Sequence, residues 1–294
     1  MDKVTGGVIR LSNGALLPRM GFGTYKCTGE AAVEHTIDCA LSTGYRLIDT
    51  AHAYHNEQQI GDALKKLLPK HNLRRDELFL TTKIQSLPAP IETVVAGLEG
   101  SLTKLQTDYL DLALIHYPKP FAVDSNTNPE YKNWRKTAWL ALEKMCDSGK
   151  IQSVGVSNYE PRHIDELRQY ARVQPVVNQC ECHPHLTRTA LRKYCADNGI
   201  HFQAFTSLGR NHPDLIGVKL LSQIAERHNA TVQQVLLAWA LAQDISVVPK
   251  SQTAARIKAN FDAINVTLSA DEVTQMNALN CDTTYTKCRG WDVI

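Results

Sequence analysis

The fold is decided by residues 46–83, RLIDTAHAYHNEQQIGDALKKLLPKHNLRRDELFLTTK. The two ends of this segment, 46–50 and 78–83, are short aliphatic runs typical of buried parallel strands. Between them, Asn56 with Gln59 resembles a helix cap. The apolar side chains that follow recur at helical spacing, at Ile60, Ala63, Leu64, Leu67 and Leu68. The segment therefore predicts a strand, an amphipathic helix ending near Leu68 and a second strand.

The same alternation fills most of the chain. Eight strands are predicted, each followed by a helical segment, at 20–24, 46–50, 78–83, 109–115, 152–157, 175–180, 202–206 and 245–249. A chain of 294 residues suits one α/β barrel, whose usual size is about 250 residues plus insertions. We therefore expect residues 1–294 to form a single (β/α)8 TIM barrel domain, although the pattern alone also fits an open doubly wound sheet.

Several segments add to the plain repeat. Two apolar runs flank Asn13-Gly14, which predicts a β-hairpin that covers one end of the barrel. After the eighth helix, the capping box from Ser269 to Glu272 predicts an extra C-terminal helix. Long loops at 117–134 and 208–219 follow the fourth and seventh strands. Both loops leave the carboxyl ends of strands, where barrel enzymes have their active sites.

Composition and charge exclude several classes of protein. The 32 basic and 30 acidic residues give a net charge of +2, which is unlike the basic surface of a nucleic-acid-binding protein. No apolar run approaches the roughly 18 residues of a membrane span, and the first residues lack the apolar core of a signal peptide. We therefore expect a cytoplasmic, monomeric protein with free cysteines and with no nucleic-acid or membrane partner.

Ionisable residues follow three neighbouring strands. Asp49 ends the second predicted strand, Tyr54 follows in the adjoining loop, Lys83 ends the third strand and His116 ends the fourth. In a barrel, these side chains would converge on one rim. Because an unpaired buried ammonium loses its hydration, Asp49 is the expected partner of Lys83. The Lys83 charge would lower the pKa of the Tyr54 phenol, and His116 would orient a substrate oxygen.

Each of these residues also has an ordinary structural interpretation. An Asp-Thr pair commonly forms a turn or cap, a lysine at a strand end is commonly a surface charge, and a single histidine is commonly a buried donor. The presence of all four at neighbouring strand ends favours a catalytic set.

Taken in order, these motifs resemble those of the aldo-keto reductase family. They are Gly44 to Ala51, Tyr54 with Asn56-Glu57, Thr82-Lys83, His116 before Tyr117-Pro118, Gly155 to Asn158, Val177 to Gln179, and Pro249 to Ser251. The resemblance covers nearly the whole chain. Within the family, the chain is similar to the branch that includes aldose reductase, prostaglandin F synthase and diketogluconate reductase. It implies an enzyme that reduces aldehydes and activated ketones with NADPH.

The resemblance implies roles for the rim residues. Asp49, Tyr54, Lys83 and His116 take the family's catalytic positions, with Tyr54 as the acid in reduction and the base in oxidation. NADPH would lie extended across the rim, which agrees with the lack of a Gly-x-Gly-x-x-Gly turn before any predicted helix.

The cofactor positions follow from the same resemblance. Three of them would hold the carboxamide (Ser157, Asn158 and Gln179), Phe205 replaces a Tyr stacked on the nicotinamide, and Asn260 would contact adenine. The full set is Gly23, Thr24, Tyr25, Asp49, Ser157, Asn158, Gln179, Phe205, Thr206, Leu208, Lys250, Ser251, Gln252, Thr253, Arg256 and Asn260. Ala259 stands where many members carry Glu.

One part of this cofactor set has an independent physical reason. Lys250 and Ser251 precede the eighth helix, whose N-terminal amides favour phosphate. Arg256, one turn later, suits a 2′-phosphate or stacking on adenine. These residues favour NADPH over NADH.

The substrate pocket is expected to be partly aromatic. Its predicted lining residues are Tyr25, Tyr54, His116, Tyr117, Trp134 and Trp291. Because the tail is short, we expect an open pocket that accepts several small-molecule aldehydes and activated ketones.

A cluster of thiols and imidazoles at Cys180 to His185 superficially suggests zinc. Strand alternation places Cys180 and Cys182 on the face opposite Gln179, Glu181 and His183, so no metal site is expected. Two other functions fit a barrel of this kind: a non-catalytic cofactor-binding subunit, and a metal-dependent barrel lyase or isomerase. The complete four-residue set favours the reductase.

Overall fold

The computed structural model describes residues 4–294. Within this range, eight parallel strands lie in chain order, each hydrogen-bonded to the next. The two ends of the sheet also meet, because Gly21 N donates to Val247 O at 2.8 Å and Val247 N donates to Arg19 O at 2.9 Å. The sheet is therefore a closed barrel and not an open doubly wound sheet. Its strands are β3 Phe22–Gly23, β4 Leu47–Asp49, β5 Phe79–Ile84, β6 Leu112–Ile115, β7 Val154–Ser157, β8 Val177–Glu181, β9 His201–Phe205 and β10 Ser246–Val247.

Helices alternate with these strands and cover the outside of the barrel. In the described part of the chain they are α1 Glu30–Thr43, α2 Glu57–Lys70, α3 Ile91–Leu105, α4 Tyr131–Asp147, α5 Pro161–Arg168, α6 Thr189–Asp197, α7 Pro213–Ile216, α8 Lys219–Arg227, α9 Val232–Leu241, α10 Ala254–Asp262 and α11 Ala270–Asn277. Helix α2 buries Ile60, Ala63 and Leu64, as its spacing predicts. A Cβ on Gly61 would lie 2.1 Å from Lys104 O, so glycine permits the close approach of α2 and α3.

The start of α2 corrects one sequence prediction. Asn56 precedes the helix, but its side chain makes no capping hydrogen bond. Instead, its Oδ1 accepts from the Thr50 hydroxyl at 2.7 Å, and its Nδ2 donates to Thr24 O and Cys27 O at 2.9 and 3.0 Å. The predicted Asn56–Gln59 cap is therefore wrong. Asn56 fastens the loop that carries Tyr54 to the segment after β3.

The predicted hairpin is confirmed. Strands β1 Val8–Arg10 and β2 Leu16–Pro18 pair antiparallel around the Asn-Gly turn. Leu11 and Leu17 pack against Leu47, Phe79 and Leu112 in one buried cluster. Because these last three residues begin their strands, the hairpin closes the amino end of the barrel, opposite the rim that carries the ionisable residues.

The loops at the carboxyl end differ in detail from the prediction. Helix α4 begins at Tyr131, so the loop predicted at 117–134 ends earlier and Trp134 lies in the first turn of the helix. The predicted loop at 208–219 contains a short 3-10 turn and helix α7. The extra helix α11 is confirmed, and Ser269 Oγ accepts from Glu272 N at 3.2 Å as its cap. Among residues 4–294, no helix is long and apolar enough to cross a membrane.

Candidate active site

The predicted ionisable residues meet at the carboxyl rim of the barrel. Asp49 is the last residue of β4, Lys83 lies one residue before the end of β5, and His116 directly follows β6. Tyr54 ends a short 3-10 turn that follows β4. Neighbouring parallel strands end at the same level, and this geometry brings side chains distant in sequence into one cluster.

Asp49 and Lys83 form a buried ion pair. Lys83 Nζ donates to Asp49 Oδ1 at 2.5 Å and to Thr50 O at 3.1 Å, and the lysine is 1% exposed. Burial lowers the pKa of Lys83, whereas the nearby Asp49 carboxylate opposes that shift. The second oxygen of Asp49 accepts from Gln179 Nε2 at 2.8 Å. The carboxylate is thus held on both oxygens.

The Tyr54 hydroxyl lies beside this pair. Lys83 Nζ is 3.5 Å from Tyr54 Oη, at the long limit of a hydrogen bond. Burial raises the pKa of Tyr54 well above 10, and the Asp49 carboxylate raises it further. The predicted lowering of this pKa is therefore wrong, because burial of the phenol and the nearby Asp49 carboxylate both disfavour the phenolate. The phenol is protonated at neutral pH, as a proton donor must be.

His116 completes the cluster as a neutral side chain. Its ring packs edge-on against the Tyr54 ring, with centroids 5.5 Å apart. Burial lowers the pKa of His116 well below 6.5, and the Lys83 charge lowers it further. Its Nδ1 is buried and has no partner among residues 4–294. A neutral imidazole beside a protonated phenol offers two hydrogen-bonding groups to one ligand oxygen.

The residues predicted to hold a carboxamide lie in the same network. Ser157 Oγ donates to Gln179 O at 2.7 Å, and Asn158 Nδ2 donates to His116 O at 3.0 Å. All three side chains predicted for this role are buried, Ser157 and Asn158 at the end of β7 and Gln179 in the middle of β8. Phe205, half-buried, ends β9 on the same rim.

At the β3 side of the rim, the strand lies unusually close to the backbone of the neighbouring segment. A Cβ on Gly23 would lie 2.7 Å from Val248 O, so the strand approaches its neighbour as only glycine permits. The Thr24 hydroxyl donates to Asp49 O at 2.9 Å. Thr206, two strands away through β10, has a positive φ of 52° and precedes Leu208 in the turn after β9.

The predicted phosphate-binding segment leads into α10. Thr253 is the residue before the helix, and its N–H donates to Ser251 Oγ at 3.2 Å. Lys250 Nζ donates to Gln252 Oε1 at 3.2 Å. Arg256 is exposed in the first turn. Two cationic side chains thus lie at a helix N-terminus, the arrangement that attracts phosphate. Asn260, one turn later, is buried.

Two of the predicted substrate residues directly adjoin the Tyr54 and His116 pair. The exposed Tyr25 has its ring 5.1 Å from that of Tyr54, and Tyr117 directly follows His116. The Trp134 ring packs against Tyr131 at 5.4 Å and borders the small buried cluster that also contains Tyr117. The Trp291 ring lies 4.8 Å from the Arg188 guanidinium. Trp134 therefore lies beside another predicted lining residue, Tyr117, and the place of both tryptophans in the pocket stays a prediction.

Phe121 was missed by the sequence analysis. Its ring is 4.8 Å from the His116 ring and 6.0 Å from the Tyr117 ring, and the side chain is 41% exposed. The signal available in the sequence was an aromatic residue in a long loop after a strand that carries a candidate catalytic histidine.

The C-terminal tail after α11 is bound to the barrel at two places, here called anchors, and the sequence pattern predicts neither. The first anchor is Glu181. This buried carboxylate accepts from Tyr285 N at 2.7 Å, from the Thr286 hydroxyl at 2.5 Å and from His183 Nε2 at 3.1 Å. Burial opposes the charge, but these hydrogen bonds hold the pKa of Glu181 below its usual value. The tail is therefore tied to the carboxyl end of β8.

A second anchor holds the last residues. Val293 O accepts from Arg162 Nε at 3.1 Å and from His163 Nε2 at 2.8 Å. Arg135 Nη1 donates to Ile294 O at 2.9 Å and to Pro118 O at 3.0 Å. The anchor thus joins the tail, helix α5 and the loop after β6.

The thiol and imidazole cluster has internal partners. Cys180 Sγ donates to Asn178 Oδ1 at 3.3 Å, and Cys182 Sγ donates to Thr187 O at 3.7 Å. Burial raises the pKa of Cys180 to about 11 and that of Cys182 to about 12, so both are thiols. In the part of the chain that the structure describes, no three His, Cys, Asp or Glu side chains are arranged to hold a metal ion.

The closed barrel and its charged carboxyl rim define a (β/α)8 enzyme. A family model described as the Aldo/keto reductase family matches residues 19–281, and the chain belongs to that family. It is 38% identical over 274 residues to glyoxal reductase of Bacillus subtilis (strain 168), covering 93% of each chain. It is 35% identical to human aldo-keto reductase family 1 member A1, covering 94% of this chain and 90% of the relative.

Solved structures agree with this assignment. The crystal structure of MGS-M4, an aldo-keto reductase from a Medee basin deep-sea metagenome library, superposes with a TM-score of 0.85 at 31% identity, covering 95% of this chain and 98% of that one. Aldose reductase from Schistosoma japonicum gives a TM-score of 0.82 at 32% identity, covering 93% and 92%. The protein is therefore an oxidoreductase of a family that uses nicotinamide cofactors on small carbonyl compounds.

Proposed function

We propose that the protein reduces aldehydes and activated ketones to alcohols with NADPH, and that Tyr54 is the general acid. One observation carries the proposal: the Tyr54 hydroxyl lies 3.5 Å from Lys83 Nζ, which Asp49 holds, and its ring packs against neutral His116. This set offers a proton, a charge to balance its loss and a hydrogen bond to the substrate oxygen.

The roles follow from the protonation states. When bound, NADPH supplies a hydride to the carbonyl carbon. His116 orients the carbonyl oxygen, and Tyr54 transfers its hydroxyl proton to that oxygen, so the product is the alcohol and Tyr54 becomes a phenolate. Lys83 stabilises this phenolate at short range, and Asp49 keeps the ammonium in place. In the oxidation direction, the phenolate takes the proton back.

The rim fits the cofactor in two places. The side chains of Ser157, Asn158 and Gln179 are buried polar groups on one side of the catalytic cluster, and they suit a carboxamide. Lys250 and Arg256 at the start of α10 suit a 2′-phosphate, because fixed amides and two cations favour a doubly charged group.

The cofactor preference has a direct test. We expect kcat/KM for NADPH to exceed that for NADH, and we expect Lys250→Met with Arg256→Met to reduce this ratio by at least about 10-fold. Lys258→Met, an exposed lysine on the same helix paired with Asp262, is the control and should leave the ratio unchanged. An equal or higher kcat/KM for NADH in the wild type would contradict the proposal.

The acid has its own test. NADPH oxidation with 4-nitrobenzaldehyde or methylglyoxal should fall by at least about 10²-fold in Tyr54→Phe. The matched control is Tyr194→Phe, which removes a hydroxyl bonded to Asp165 on the outer surface and should retain full turnover. Retained activity in Tyr54→Phe would exclude Tyr54 as the acid.

The proposal also covers the domain organisation, the location and the substrate range of the protein. We propose that residues 1–294 act as one domain and as a cytoplasmic monomer, without a nucleic-acid or membrane partner, in keeping with the balanced charge of +2. Tyr25 and Phe121, 45% and 41% exposed, border the catalytic cluster and support a pocket open to several carbonyl compounds. A single accepted steroid or prostaglandin across a broad substrate panel would contradict this breadth.

A further inference from the structure

Gln203 lies inside the barrel, next to a residue of the rim. It occupies the middle of β9, is fully buried, and pairs in register with Gln179 of β8. Its Oε1 accepts from Gln179 Nε2 at 2.7 Å. Its own Nε2 is buried and has no partner within residues 4–294. Burying an amide whose donor is unpaired costs free energy of folding, so the presence of Gln203 at this position needs a reason. The hydrogen bond that it accepts from Gln179 is the feature to explain.

The Gln179 amide has both its N–H groups committed inward. One donates to Asp49 Oδ2 at 2.8 Å and the other to Gln203 Oε1. The opposite orientation would place the Gln179 oxygen against the Asp49 carboxylate, which also has only acceptors. Asp49 and Gln203 together therefore fix the direction of this amide.

We infer that Gln203 is a positioning residue that sets the orientation of Gln179 and, through it, both the catalytic Asp49 and the acceptor offered to the cofactor. With its donors used, Gln179 presents only Oε1 to a ligand. That atom recognises a donor such as the NH2 of a carboxamide. This inference rests on the proposed function.

The variants distinguish the loss of the Gln203 acceptor from a change in side-chain volume. Gln203→Met keeps the length but removes the acceptor, so the hydrogen bond to Asp49 alone still directs the Gln179 amide. Gln203→Glu, which burial favours as the neutral acid, presents an acceptor oxygen in either orientation and preserves the chain of hydrogen bonds. Ser246→Ala is the control, because Ser246 is the other register neighbour of Gln203 but bonds to His201.

The most specific readout uses reduced 3-acetylpyridine adenine dinucleotide phosphate, which lacks the carboxamide NH2. We expect the wild type to prefer NADPH over this analogue, and we expect Gln203→Met to reduce the ratio of the two kcat/KM values by about 3- to 10-fold. The Kd of NADPH, measured by protein fluorescence, should rise in Gln203→Met by a similar factor. A purely packing role would lower turnover with both cofactors equally and leave the ratio unchanged.

Rescue completes the test. Gln203→Glu should keep the wild-type ratio within about 2-fold, and so should Ser246→Ala. If thermal unfolding shows that Gln203→Met does not fold, Gln203→Asn withdraws the acceptor by one methylene and should reduce the same ratio. An active wild type with an unchanged ratio and Kd in these variants would overturn the inference alone. A wild type that neither binds nor oxidises NADPH would overturn the proposed function as well.

Discussion

The catalytic cluster and the tail anchors hold their residues in different ways. At the cluster, charged side chains meet each other, since Lys83 Nζ and Asp49 Oδ1 are 2.5 Å apart and nearly inaccessible to solvent. At the second anchor, Arg162 and His163 donate to the backbone oxygen of Val293. The first arrangement holds a buried charge beside the Tyr54 phenol and supports the proposed chemistry, whereas the second fixes the path of the chain.

This difference explains why the sequence pattern predicts the first region and not the second. Several ionisable residues at neighbouring strand ends form a distinctive pattern, and barrel geometry alone predicts that they converge. A backbone carbonyl is present in every residue, so no pattern identifies Val293 O as an acceptor. The following predictions test whether the first region controls kcat and the second controls stability and substrate binding.

The largest effect is expected from removing the buried ammonium. Lys83→Met should lower kcat by about 10²-fold or more, because Tyr54 loses the charge that stabilises its phenolate. It also leaves the Asp49 carboxylate buried and unpaired, which should destabilise the fold by about 3–5 kcal/mol. Both quantities are measured by steady-state kinetics and denaturant unfolding.

A double variant separates these two effects. Lys83→Met with Asp49→Asn removes both charges and should regain much of the lost stability while kcat stays low. Recovery of kcat in the double variant would show that the ion pair matters only for folding.

Breaking the second tail anchor should have a smaller effect on chemistry. Arg135→Met removes donors to Pro118 O and Ile294 O and the ion pair with Glu166 at 2.5 Å. We expect a loss of about 2–4 kcal/mol of stability and a KM for the aldehyde raised several-fold, with kcat changed less than about 2-fold.

Arg172→Met is the matched control for this variant, because Arg172 pairs with Asp147 on the surface and should contribute less than about 1 kcal/mol. A kcat loss in Arg135→Met as large as that in Lys83→Met would remove the distinction between the two regions.

The fold was more accessible to sequence reasoning than the details of the site. The strand predicted at 78–83 is observed at Phe79–Ile84, because a run of apolar and β-branched residues specifies a buried strand locally. The Asn-Gly turn likewise specified its hairpin. The role of Asn56 and the direction of the Tyr54 pKa shift were predicted wrongly, because both depend on partners and burial that exist only in the folded barrel.

The second anchor should also make stability depend on pH. His163 uses Nδ1 to accept from Glu160 N and Nε2 to donate to Val293 O, which requires the neutral ring. Burial lowers its pKa to about 3, against about 6.5 in the unfolded chain. Its contribution is therefore complete above about pH 6.5 and is lost progressively as the pH falls toward 3.

Lowering the pH from about 7.5 to about 5.5 should reduce the free energy of unfolding by about 1.4 kcal/mol through His163 alone. His163→Asn should show a shallower loss over the same range. His201→Asn provides a comparison inside the barrel, because burial lowers the pKa of His201 to about 4 and its removal should flatten the curve to a similar degree. Parallel curves for the wild type and His163→Asn would contradict the assignment of a neutral imidazole at the anchor.

The smallest effect is expected where the two regions meet, at Phe121 in the loop after β6. Its ring contacts His116 at 4.8 Å and is partly exposed, so an aromatic substrate would gain one ring contact worth about 0.5–1.5 kcal/mol. Phe121→Ala should raise the KM for 4-nitrobenzaldehyde by roughly 2- to 10-fold and leave that for methylglyoxal, which has no ring, unchanged. Leu87→Ala, an equally exposed apolar residue, should change neither. An equal rise in KM for both aldehydes would mean that Phe121 acts by positioning His116, and would assign this loop residue to the catalytic cluster instead of the substrate pocket.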